Sequence, residues 1–137
     1  PRVYFKDNSF DFSFSGVKTA VLNYINIAHQ KNIPIDVASV CASFQQALVD
    51  VLVNNTLCCA KNKNLSTVAI AGGVAANTSL RKAMSHACNT LGYNCYYPDP
   101  ILCTDNAAMI ACAGYYEYLN NNISDMLLNA YPSLKLH

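Results

Sequence analysis

Apolar side chains recur along the sequence at helical spacing in some stretches and form short unbroken runs in others. Val17, Ala20, Val21, Tyr24, Ile25 and Ala28 make a helical stripe over residues 17–31, which Ile33-Pro34 ends. Val37, Val40, Cys41, Phe44, Leu48, Val51 and Leu52 follow at the same spacing to about residue 60, with Asp36 as a good N-cap. Leu80, Ala83, Met84, Ala87, Cys88 and Leu91 share one face of a helix over 78–91, and Gly92 stands where a left-handed C-cap belongs. A last main helix, 105–119, is expected to open at Asp105; its small residues (Ala107, Ala108, Ala111, Ala113, Gly114) let it approach neighbours closely. The runs at 67–71 and Tyr93–Tyr97 read as strands, the second stopped by Pro98 and Pro100. Residues 1–14 alternate aromatic and polar positions around Phe10, Phe12 and Phe14 and predict a further strand, broken by Ser15-Gly16. Lys61–Asn64 reads as a turn, and the tail from Asn120 as one loose helical turn plus coil.

Strand 67–71, helix 78–91 and strand 93–97 make a β-α-β unit, for which parallel strands and a right-handed crossover are expected. Parallel strands bring their carboxyl ends to one edge of the sheet, where ligands of open α/β sheets bind. The loops 72–77 and 98–105 leave that edge, so Asn77 and Asp105 are expected at one crevice. Gly72 and Gly73 let a ligand approach the backbone closely, and their N–H groups, with those opening helix 78–91, offer donors to an anion such as a phosphate. Asn77 can both donate and accept, which suits a ribose or an amide. The same residues also fit an ordinary β-α turn with Asn77 or Thr78 as N-cap. Asp105 reads either as a cap or as a metal ligand with a second carboxylate oxygen free. Lys18 and Arg81 lie near helix starts, where a cation is not placed for dipole reasons; an anionic partner and solvated surface charge both fit them.

Composition narrows this picture. At 137 residues one domain is expected. Hydrophobic residues make up 53% and charged residues 12%, so part of the surface is expected to be buried against something else. A net charge of +1 gives no broad basic field of the kind a self-sufficient nucleic-acid binder shows. The 7 cysteines are odd in number and contain no C-x-x-C, so reduced, mostly buried thiols are expected rather than disulfides or a structural zinc site. His29, His86 and His137 are scattered, and His29 and His86 are expected to face solvent. No uncharged apolar run is long enough to span a membrane, and no signal peptide opens the text. The sequence starts on Pro1 in mid-pattern, as expected of a piece of a longer protein.

FDFSFSGVKTAV (10–21), ASFQQALVDVLV (42–53), AGGVAANTSLR (71–81), YYPDP (96–100) and CTDNAAMIACAGY (103–115), in this order, resemble the TsaD (Gcp) family of tRNA N6-adenosine threonylcarbamoyltransferases. The resemblance implies an α/β fold, an incomplete RNase H-like lobe of the actin/hexokinase/Hsp70 (ASKHA) superfold, with residues 1–119 as most of the second, C-terminal lobe and 120–137 as a short tail. It implies a transfer of threonylcarbamoyl from threonylcarbamoyl-adenylate to N6 of adenosine 37 of tRNA. By the same resemblance Gly72, Gly73 and Asn77 contact the adenylate and Asp105 is a carboxylate ligand of one divalent metal ion, iron or zinc. Two His ligands from the first lobe are absent from the chain, as is a serine- and glycine-rich loop. The chain alone is therefore expected to be inactive and to lack the metal. No catalytic residue is assigned. The implied partners are tRNA, threonylcarbamoyl-adenylate and the TsaB and TsaE proteins of the same machinery, in the cytoplasm and with no membrane. Rival readings are a hydrogenase-maturation type of carbamoyltransferase, a kinase or ATPase of the same superfold, and a non-catalytic interaction lobe. FDFSFSG and CTDNAAMIA favour the tRNA-modifying branch. The older family label, glycoprotein endopeptidase, finds no H-E-x-x-H and no nucleophile-base pair to support it.

Overall fold

A computed structural model describes residues 2, 4, 5 and 9–133 and divides into two compact units, Pro1–Cys103 and Thr104–His137. The first unit holds α1 (Ser15–Gln30), α2 (Val37–Asn62), β1 (Thr67–Ala69), α3 (Thr78–Leu91) and β2 (Asn94–Tyr96). The second holds α4 (Ala107–Leu119). β1 and β2 pair in parallel, Thr67 with Asn94, Val68 with Cys95 and Ala69 with Tyr96. The β-α-β unit is thus formed as the order of apolar runs predicts.

The helix ends follow local chemistry. The Asp36 carboxylate accepts the Ala38 N–H at 3.1 Å and the Ser39 hydroxyl at 2.6 Å, and the Ser39 bonds first, then that of Ala38, hold its carboxyl below the usual range. Gly92 closes α3 at φ +70°, a left-handed conformation that a Cβ penalises. α3 lays Leu80, Met84 and Cys88 against Val49 and Ala60 of α2 and Val68 of β1. Met84 and Cys88 are fully enclosed, and the Met84 side chain contributes roughly 1.5–3 kcal/mol by leaving water. Burial, reinforced by neighbouring Cys95, pushes the Cys88 thiol pKa up.

α2 is long and apolar enough to cross a membrane by length and composition alone. Asp50 interrupts its apolar run, ion-paired to Arg2 and hydrogen-bonded to Gln46. Its buried face packs on α3 and β1, so it is the central helix of this unit. In its C-terminal half the buried Asn55 donates to the Asp11 carbonyl at 3.1 Å, which satisfies the amide and holds the incoming chain.

The first 14 residues depart from expectation. Residues 1, 3 and 6–8 of the predicted strand lie outside the described residues; none of the others is in a strand. A strand needs a neighbour's N–H and C=O groups, and the segment ending in Phe14 meets the side chain of Asn55 instead. Phe12 and Phe14 stack with centroids 6.1 Å apart, and α1 begins at Ser15, taking in Gly16. The tail also differs: beyond Asn120 the described residues form turns and coil without a helical turn. All 7 cysteines are free, but only Cys88 and Cys103 are buried, against the expectation that most would be. His29 and His86 face solvent as expected.

Candidate functional site

The loop after β1 is built around one backbone conformation. Gly72 sits at φ +82°, ψ 176°, a combination open essentially only to glycine. It launches a short 3-10 turn, Gly73–Ala76, in which Ala75 N–H donates to the Gly72 carbonyl at 2.9 Å. The N–H groups of Gly72, Gly73 and Val74 have no acceptor among the described residues. A Cβ on either glycine would meet nothing within 4 Å, so the space beside the loop is open.

Asn77 is the N-cap of α3. Its Oδ1 accepts the Leu80 N–H at 2.9 Å, so the plain structural reading of this residue holds. The carboxamide does more than cap, however. Its Nδ2 donates to Oε1 of Gln45 on α2 at 3.0 Å, and Gln45 Nε2 donates to Ser79 Oγ at 3.0 Å. A cavity of about 170 Å³ adjoins this group, with Gln45 and Asn77 among Phe14, Leu48, Leu52 and Val74. That volume is below the few hundred Å³ of a small-molecule pocket, so it takes part of a ligand at most.

Arg81 corrects the sequence reading. It is not solvated surface charge, because two of its nitrogens are held by the protein itself. Its Nε donates to the Ala75 carbonyl and its Nη2 to the Pro98 carbonyl at 2.7 Å, with Cys103 Sγ 3.1 Å away. Its guanidinium also lies over the Tyr97 ring, 4.6 Å from the centroid. One side chain thereby ties the loop after β1 to the segment after β2, as expected if both leave the same sheet edge. Lys18, the other cation considered, is exposed.

Asp105 belongs to the second unit. The helix there starts later than expected, at Ala107, because Asn106 takes the capping role and accepts the Met109 N–H at 3.0 Å. The Asp105 carboxylate is therefore not a cap, and it is exposed with no hydrogen bond or ion pair among the described residues. So Gly72, Gly73 and Asn77 are assembled in one loop of the first unit, with Asp105 in the second. Sequence reasoning missed Gln45. Its only local signal is a pair of glutamines, Gln45-Gln46, within an otherwise apolar helical stretch.

Comparison with known proteins agrees with the motifs. The profile of the family described as TsaD, tRNA N6-adenosine threonylcarbamoyltransferase, matches residues 1–112. Proteins of that name from Clostridium novyi, Desulfitobacterium hafniense and Clostridioides difficile are 53%, 52% and 48% identical over 99%, 99% and 100% of this chain. The chain spans about 40% of the length of these curated relatives. The glycine loop, the helix it opens and the parallel strand pair that carries both thus lie in a chain that belongs to the TsaD family.

Proposed function

We propose that this chain is the adenylate-holding part of the second lobe of a tRNA N6-adenosine threonylcarbamoyltransferase. The observation that carries the reading is the Gly72–Asn77 loop, with its glycine-only turn, unengaged N–H groups and oriented carboxamide leading into α3. The N–H groups of Gly72, Gly73 and Val74 supply donors for the phosphate, and Asn77 supplies a donor and an acceptor for the nucleoside. Held this way, the acyl-adenylate presents its carbamoyl carbon to N6 of adenosine 37 of tRNA. The bond from that carbon to the phosphate oxygen breaks, the new bond to N6 forms, and AMP leaves as N6 loses a proton. The amine is a poor nucleophile, so positioning supplies much of the rate. None of this chain's residues is assigned as the base.

The lobe is read as RNase H-like, of the ASKHA superfold, which the parallel β-α-β unit supports at the level of α/β class. A metal is a separate matter. Among the described residues no three His, Cys, Asp or Glu groups converge on one point, and Asp105 offers a single carboxylate. The described residues therefore do not by themselves make a metal site. Within this proposal Asp105 gives one ligand to an iron or zinc ion held mainly by residues beyond this chain. The TsaB and TsaE proteins are the proposed partners, and the cytoplasm the proposed compartment.

The test uses the full-length protein that contains this chain. Asn77→Ala and Asp105→Ala are each expected to abolish threonylcarbamoyl transfer to tRNA, followed by mass spectrometry of the modified nucleoside. Normal activity in both variants would overturn the assignment.

A further inference from the structure

The carboxamide of Asn77 is not free to turn. A backbone N–H can only donate, so the Leu80 N–H requires the Oδ1 end of Asn77 and directs Nδ2 the other way. Nδ2 in turn requires an acceptor, which is Oε1 of Gln45 at 3.0 Å. That leaves Gln45 with its Nε2 toward Ser79 Oγ, again at 3.0 Å. Reversing the Gln45 amide would set two donors face to face. The direction of the whole relay is therefore fixed at one end by α3 and carried by a side chain from α2. With these bonds made, Asn77 keeps one N–H and one oxygen lone pair for a ligand.

We infer that Gln45 is a positioning residue for the ligand of the Gly72–Asn77 loop. It acts through Asn77, holding that carboxamide in the orientation in which its remaining donor and acceptor are presented. This inference rests on the reading of the loop as an adenylate site. Gln45 is exposed and Asn77 keeps its cap without it, so little of the fold depends on this bond. What depends on it is conformational freedom: without Gln45, the ligand must itself immobilise the Asn77 side chain.

The test is a double-mutant cycle in the full-length protein, read by calorimetry with AMP, with steady-state kinetics on threonylcarbamoyl-adenylate and tRNA added for the variants that keep Asn77. Gln45→Met is expected to weaken AMP about five- to tenfold and to raise KM for the adenylate. Its kcat and melting temperature should stay near wild type. In the Asn77→Ala background the same change is expected to have no further effect, because the residue it acts through is gone. Ser79→Ala removes only the far anchor of Gln45 and should weaken AMP less, an effect Asn77→Ala also absorbs. This second variant decides the matter if Gln45→Met proves unstable. Wild-type affinity in Gln45→Met, or losses that add in the double mutant, would overturn the positioning role. Undiminished AMP binding by Asn77→Ala, or none by the wild type, would instead overturn the adenylate site itself.

Discussion

Arg81 is the side chain on which the shape of the loop edge turns. Its fork reaches two backbone carbonyls, of Ala75 and Pro98, while its face rests on Tyr97. Carbonyl oxygens in such a partly buried place need donors, and a guanidinium supplies several in fixed directions. A lysine ammonium has the charge but neither the fork nor the flat face. Arg81→Lys is accordingly expected to destabilise the chain by about 1–3 kcal/mol, measured by urea denaturation. An unchanged midpoint would mean that water replaces the guanidinium at both carbonyls. The sequence shows an arginine near a helix start, which fits an anionic partner or solvated surface charge. The anion-like partners turn out to be carbonyls brought from 6 and 17 residues away, and no local pattern announces such an arrangement.

At the scale of elements, the two glycines of the loop have different jobs, which substitution separates. Gly72 is needed by the backbone itself: its φ of +82° strains any other residue although the space around it is open. Gly72→Ala should cost about 1–3 kcal/mol of stability with or without a ligand. Gly73 has no such φ and equally open surroundings. Gly73→Ala should leave the melting temperature unchanged and weaken AMP binding in the full-length protein, because its Cβ takes up space needed for close approach. Wild-type AMP affinity in Gly73→Ala would mean that the ligand does not come close there. The element boundaries show the same division between local and distant causes. α3 was legible to the residue, since Asn77 and Gly92 cap it by local hydrogen bonding and local φ. The predicted strand at the start was not, because aromatic alternation says that a chain is extended but not whether another strand lies beside it. The opening of α4 was misplaced by two residues, since Asp105 and Asn106 are both competent caps and only the backbone geometry selects Asn106.

For the whole molecule, the prediction concerns what 137 residues can do alone. Asp105 is a lone carboxylate and no cluster of three ligating side chains occurs among the described residues. Titration of the isolated chain with Zn2+ in a calorimeter should show weak binding or none. Tight one-to-one binding would reveal a ligand set that this reading lacks. Independently of that result, the sequence determined the β-α-β order, the glycine loop, the caps Asp36 and Gly92, and the series of motifs that marks the family. Each of these depends on spacing or on the conformational preference of one residue, which the text carries directly. Only the tertiary structure decided that the loop is clasped by Arg81, that Gln45 reaches Asn77 from another helix, and that Asn55 rather than a strand receives the first segment. These are hydrogen bonds between groups far apart in sequence, and a side chain chooses among possible partners only when folding has brought one of them within about 3 Å.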